Sequence, residues 1–354
     1  MKKMRILCMS VLALGLAFIA TSCNKDKETT SITVTTSALE EESDDARVYI
    51  DFGDRNRMKW NADDRIMVYN LVPGDGDAAI IQEFHTDEAA EGMTTAIFAG
   101  PSVGPAQSDM GYFFFYPSDM ASNTVDAENR ATFTIEDTQN YTELDNANGV
   151  HITTIEPGRM AQAATSQDLD FTMNNMFGVA RIYLVGNKEV ERVEIEDNQL
   201  NLTGSVDVCL PNVDAATMLA YVQAYKNGAI SYEDMYDYLS DMLLYMPHPT
   251  GRIMTLNCQY SYGGVQYDGV QLTNPDAKSF MLCLRPGALS KGFTVRVFFT
   301  DGTAVFNDMY ANTDNLENPR KFCIVPNRIQ GIRYKDADGF DIPVEEWPEL
   351  LLAE

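Results

Sequence analysis

The sequence predicts an all-β chain of two tandem β-sandwich domains, with a small helical hairpin inserted in the second. Three observations carry this. Apolar and polar residues alternate in Val48–Phe52, Ile66–Asn70 and Phe293–Phe299, the period of two that a half-buried strand shows. Short runs rich in β-branched and aromatic residues recur between Gly, Pro, Asp and Asn clusters, the pattern of sheets stacked face to face and joined by turns. The chain has 354 residues, of which 45% are hydrophobic, and that length suits about two cores.

Residues 1–22 read as a lipoprotein signal peptide. Lys2, Lys3 and Arg5 form a basic start, and Ile6–Ala20 form an apolar run too short for a comfortable membrane span. Ala20-Thr21-Ser22-Cys23 resembles a bacterial lipobox, with Ala where Leu is commonest, which makes Cys23 the expected acylated N-terminus. The charged stretch Asn24–Glu28 resembles the signals that send some lipoproteins to the outer cell surface. Residues 23–46 form a tether with a first strand, in which Ile32, Val34 and Thr36 alternate with Thr33 and Thr35. Glu40–Asp45 carry five acids and read as a solvated loop. Arg47 ends the loop and is a candidate protease processing site.

Residues 47–167 are expected to form the first sandwich. Trp60 stands before the polar turn Asn61-Ala62-Asp63-Asp64, whose side chains can hold nearby backbone amides, and the run Ile66–Asn70 follows. Thr94–Gly100, Gly111–Pro117 and Ala131–Glu136 are further β-rich runs. Residues 168–332 are expected to form the second sandwich, through Phe171–Met173, Val179–Val185, Val193–Ile195, Leu202–Val206 and the clean alternation of Phe293, Val295, Val297 and Phe299 before the hairpin turn Asp301-Gly302.

A helical insert over about 213–246 interrupts it. Asp214 and Ser231 suit helix N-caps, Gly228 the turn and Pro247 the stop. Met218, Val222 and Tyr225 share one face, as do Met235, Leu239 and Met242. The row Tyr232, Tyr236, Tyr238 and Tyr245 either packs with the hairpin or presents an aromatic contact surface.

Taken in order, the lipobox, Trp60 with Asp63–Tyr69, Ala96–Gly100, Tyr112–Pro117 and Gln139 resemble the fimbrillin family of surface lipoproteins. The likeness spans roughly residues 30–330. It implies two transthyretin-like sandwiches in an outer-membrane lipoprotein that serves as a pilus subunit, tip or anchor with a role in adhesion. The implied partners are other fimbrial subunits and a host or bacterial surface ligand. In that family a protease removes the first strand, and a neighbour's strand fills the vacated groove. The acidic tail, residues 333–354, then supplies a candidate donor strand in Phe340, Ile342 and Val344, or else folds back on its own domain through Trp347. The alternative function is a monomeric glycan-binding surface lipoprotein that uses exposed Tyr and Trp as sugar platforms.

Composition and motifs weigh against other classes. A net charge of −26 and a pI near 4.3 repel phosphate backbones and anionic headgroups, so no nucleic-acid partner is expected. His85, His151 and His248 have no second His or Cys at metal-ligand spacing. Gly100-Pro101-Ser102-Val103-Gly104 matches a nucleophile elbow, but a strand region follows where a helix is needed. Asp63 and Asp64 are adjacent and point apart in a strand-turn. Asp336–Asp341 has three acids around a Gly but lacks the distal Glu of a calcium loop. No catalytic, metal or cofactor site is therefore expected, nor enzymatic activity. Cys209, Cys258, Cys283 and Cys323 are either buried thiols or one of three disulfide pairings.

Overall fold

The computed structural model describes residues 29–37, 39–41, 59–72, 75–107, 111–145, 151–156, 158–198, 202–210, 215–245, 251–289, 292–309 and 322–351. The signal segment with Cys23, the acids 42–45, Arg47, the run Val48–Phe52, Asp214, Pro247 and His248 lie outside the described residues.

The all-β class holds. In the first body seven strands follow one closed path: Thr29–Thr36, Asp170–Asn175, Gln162–Ser166, Tyr112–Tyr116, Arg65–Val72, Asp75–His85 and Thr95–Pro101. Closure comes from two contributions. Thr29–Thr36 pairs along most of its length with Thr95–Pro101, whereas Asp75–His85 meets that same strand through one pair, His85 opposite Ala99. The enclosed core contains Ile32, Val34, Trp60, Ile66, Val68, Phe84, Phe98 and Phe114.

Arg65–Val72 is buried on both faces, where its alternation predicts one. Ile66 and Val68 enter the first core, while Met67, Tyr69 and Leu71 enter a second. Tyr112–Tyr116 behaves likewise, with Phe114 on one side and Phe113 and Phe115 on the other. These strands form a wall between the two bodies, so both of their faces must be apolar.

The second body stacks two sheets over a shared core. One runs Glu40–Glu41, Arg328–Ile332, Gly178–Leu184, Lys278–Leu284; the other runs Ala304–Met309, Phe293–Phe299, Glu189–Asp197, Ile253–Asn257, Thr138–Asn140. Gln139 ties them together. Its side-chain amide donates to the carbonyl of Cys283 at 2.8 Å and accepts from the Cys283 amide at 2.9 Å, so it acts as one rung of ladder for the opposing sheet. The run expected over Ala131–Glu136 is the strand Arg130–Ile135, which pairs with Gly204–Cys209, and Thr138–Asn140 pairs with Ile253–Asn257. Segments early in the chain thus hydrogen-bond to strands from its second half.

Helix α1 (Ala215–Lys226) and helix α2 (Tyr232–Met242) form the expected hairpin. Ser231 caps α2: its Oγ accepts from the Asp234 amide at 3.0 Å, and the Asp234 carboxylate accepts from the Ser231 amide at 3.2 Å. Met218, Val222, Tyr225, Met235 and Leu239 are buried against the sheets. Three tyrosines of the row pack within the hairpin: Tyr238 stacks on Tyr221, and buried Tyr232 meets Tyr225 edge-on and Tyr236 face to face.

Candidate functional site

The first strand is the element around which the candidate site is built. Ile32 and Val34 are completely buried, Thr36 is nearly so, and Ser31 on the other face is exposed. The period-two pattern puts these side chains inward, and β-branched residues suit the pleat. On one side the strand runs antiparallel to Thr95–Pro101, with Ile32 opposite Phe98; on the other it runs parallel to Asp170–Asn175, with Val34 opposite Phe171.

Trp60 forms the floor of this seat. Its indole Nε1 donates to the Val34 carbonyl at 3.3 Å, and its ring meets Phe98 and Tyr116 edge-on at 5.0 and 5.1 Å. The turn that follows fixes it. Asp63 takes a left-handed φ of 63°, and the Asp64 carboxylate accepts from the Asn61 amide at 2.7 Å and from the Tyr116 hydroxyl at 3.1 Å. Burial raises the Asp64 pKa, and those hydrogen bonds pull against the shift. The same surroundings push the Tyr116 hydroxyl far up, first through burial and then through the charge of Asp64. Asp63 faces solvent while Asp64 braces the turn, so the two acids share no substrate position.

The seat continues into the second body. Glu40–Glu41 was expected in a solvated loop, but it pairs in parallel with Arg328–Ile329. Leu39 is buried in the second core. Between the two parts, the Ser37 amide donates to the Met173 carbonyl at 3.1 Å, and the Ser37 hydroxyl lies 3.4 Å from Asn327 Oδ1. Buried Asn175 donates from Nδ2 to Asn327 Oδ1 at 2.6 Å and accepts from Gln162 at 2.7 Å. Sequence reading missed this part. Its one signal was Leu39, a lone apolar residue ahead of the acids.

The remaining candidates are placed as follows. Gly100 in the elbow-like motif is needed because a Cβ there meets the Phe84 ring at 2.6 Å, and Ser102 Oγ accepts from the Gly104 amide at 3.4 Å, so the motif is a strand end and a turn. Asp336 Oδ1 accepts from the amides of Asp338 and Phe340, and Asp341 pairs with Arg333, which makes that acidic loop a self-held turn. Among the described residues, no three His, Cys, Asp or Glu side chains gather as a metal site. Cys258 and Cys283 are buried thiols, and burial drives both pKa values up.

The tail lies on its own second body. Val344 and Trp347 are buried, Phe340 is 72% exposed, and Ile342 is half-buried. The Val344 amide donates to the Val185 carbonyl at 2.8 Å, and the Trp347 indole donates to the Ile342 carbonyl at 3.2 Å. Glu349 bridges to Val305 along the edge strand Ala304–Met309. With Trp60 and Trp347 both buried, neither is a sugar platform. The hairpin Tyr260–Tyr262/Val265–Tyr267 does leave Val265 and Tyr267 exposed.

No family model matches the chain, and no curated protein does. Among solved structures, it is similar to a candidate cell adhesion protein from Bacteroides ovatus, at 10% identity and a TM-score of 0.40, over 92% of this chain and 100% of the other. A candidate cell adhesion protein from Bacteroides fragilis matches at 9% identity and 0.36, over 85% and 91%. The tip fimbrial protein Mfa3 from Porphyromonas gingivalis, with a C-terminal truncation, matches at 9% identity and 0.33, over 87% and 96%.

Proposed function

We propose that this chain is a surface-anchored structural subunit, tip or anchor of a fimbria, joined to its neighbours by β-strand addition and serving adhesion. The observation that supports this reading is the seat of Thr29–Thr36. The strand completes the barrel path between Thr95–Pro101 and Asp170–Asn175, and its removal leaves both ladders unpaired above an aromatic floor. Unpaired edges of that kind recruit another strand. In this reading Cys23 is acylated and holds the precursor at the outer membrane. A protease then cuts after Arg47 and frees the first strand. The tail is the candidate donor, and to act so it must leave the seat that Val344 and Trp347 now occupy.

The test is N-terminal sequencing of surface material together with unboiled electrophoresis. Val48 first, with a polymer ladder, is the expected result; a monomer that begins at Cys23 refutes the assembly mechanism and favours a permanently anchored adhesin. A clickable fatty acid should label the wild type and not Cys23→Ala. Deleting residues 339–354 should leave a folded monomer that no longer polymerises, and polymers of normal length from it exclude the tail as donor.

A further inference from the structure

We infer that the occupant of this groove is a two-body strand: its first half closes the barrel and its second half, led by one large aliphatic side chain, docks on the second sandwich. The inference rests on the strand-addition reading above and adds what the incoming partner strand must carry. Three features of the present occupant define it. Ile32 and Val34, two residues apart, fill the barrel seat above Trp60. Ser37 sits at the crossing, with its amide on Met173 and its hydroxyl beside Asn327, where the Asn175–Asn327 hydrogen bond joins the two bodies. Leu39 then enters the other core, and Glu40–Glu41 lie parallel to Arg328–Ile329 at the edge of the four-stranded sheet.

The spacing follows from the backbone. Ile32 and Val34 are even and enter the barrel core, while Leu39 is odd and enters the other core, the same division between alternate positions that Ile66 and Met67 show in the wall strand. An occupant therefore needs β-branched residues at two alternating positions, a small hydroxyl residue three positions after the second, and a Leu-sized residue two further on. A strand with the first pair alone seals the barrel but leaves the edge of Arg328–Ile332 and the Leu39 pocket open. The partner is thus a strand of about 13 residues from a sister subunit, since this chain's own tail, with Ile342 and Val344 set at the first two positions, brings Trp347 and Glu349 to those of Ser37 and Leu39. An eight-residue plug falls short of the second body.

The experiment uses the uncleaved chain from residue 23 onward with a specific protease site placed between residues 42 and 47. After nicking, the segment up to the cut is held only by its contacts. Fluorescent peptides corresponding to residues 29–41 and 29–36 are exchanged in, and their release rates are read by anisotropy. The longer peptide should leave at least tenfold more slowly, and Leu39→Ala in it should remove most of that difference, whereas Ser31→Ala, on the exposed face, should change release by under about threefold. Equal release of the two peptides, or no effect of Leu39→Ala, overturns the two-body groove. Polymer formation by the nicked chain is scored separately. Polymers together with equal release refute this inference and leave the subunit reading intact; slow release of the long peptide without polymers, under any donor condition, refutes the subunit reading instead.

Discussion

Replacing Ile32 by Ala perturbs the barrel at one of the two positions where the first strand is fully buried. Ile32 is 1% exposed and stands opposite Phe98. The substitution deletes three carbons, and at about 0.8 kcal/mol per buried carbon the transfer contribution is about 2.4 kcal/mol. A residual cavity beside Phe98 raises the loss to about 3–4 kcal/mol, because aromatic walls collapse only in part. The chain has two tryptophans, Trp60 in the barrel core and Trp347 in the other, so Trp60 fluorescence in a Trp347→Phe background follows the barrel alone. Urea unfolding read this way should show a midpoint lowered by about 1.5–2 M, from a slope of about 2 kcal/mol per molar. Ser31→Ala, one residue away on the exposed face, should stay within about 0.5 kcal/mol of the parent. If the two variants unfold together, the strand is not packed as described and the groove argument fails with it.

Other consequences are independent of that strand. Gln139→Ala strips both polar partners from the Cys283 backbone and should destabilise the second body by about 2–4 kcal/mol, with faster amide exchange at Cys283; exchange at the parent rate would show that the amide rung carries nothing. Cys258 and Cys283 should resist a charged aromatic disulfide reagent in the folded chain and react on unfolding, since burial raises both thiols; rapid modification of either under native conditions contradicts their placement. The Asp301 carboxylate, held first by the Thr303 hydroxyl and amide and then by Lys188, should titrate at about 2. Its folded value lies below the ordinary 3.8, so whatever stability it lends is complete above about pH 4 and disappears as the pH falls through 2. A folded-state NMR midpoint near 3.8 would show the turn is open in solution.

Much of the fold was legible because it depends on short-range signals. The Ser231 cap, the faces of Met218, Val222 and Tyr225, and the period-two run Phe293–Phe299 are written in neighbouring residues, and all take the predicted form. What sequence could not give is pairing between distant segments. Arg130–Ile135 reads as a strand, yet nothing in its residues says that Gly204–Cys209 is its partner. The same blindness affected burial: the alternation of Ile66 and Val68 with Met67 and Tyr69 suits a strand with one buried face, and nothing in it shows that a second core covers Met67, Tyr69 and Leu71 as well. At the candidate site, Ile32 and Val34 were readable as a strand face, while Leu39 and Glu40–Glu41 were taken with the acids around them. The charge pattern gave no sign of the backbone partner that Glu40–Glu41 find in Arg328–Ile329.

The position of the first strand also bears on when it can be exchanged. While the chain is intact, the plug is tethered to the body it fills, and a tether of this kind holds its strand at an effective concentration of order millimolar. A free donor with equal contacts competes against that concentration and loses. Cutting the tether leaves every contact of Ile32, Val34 and Leu39 in place, so the seat itself is not weakened at the moment of cleavage. What changes is that a strand which leaves is diluted and does not return. In the proposed assembly, cleavage therefore acts as a licence and leaves stability unaltered at first: a freshly nicked chain should melt at the same temperature as the intact one at high protein concentration. It should exchange its first strand only upon dilution or when donor is in excess. Differential scanning calorimetry of nicked and intact protein at two concentrations checks this. A nicked form that melts well below the intact one even at the higher concentration would mean that the covalent link, rather than the packing of the strand, holds the barrel closed.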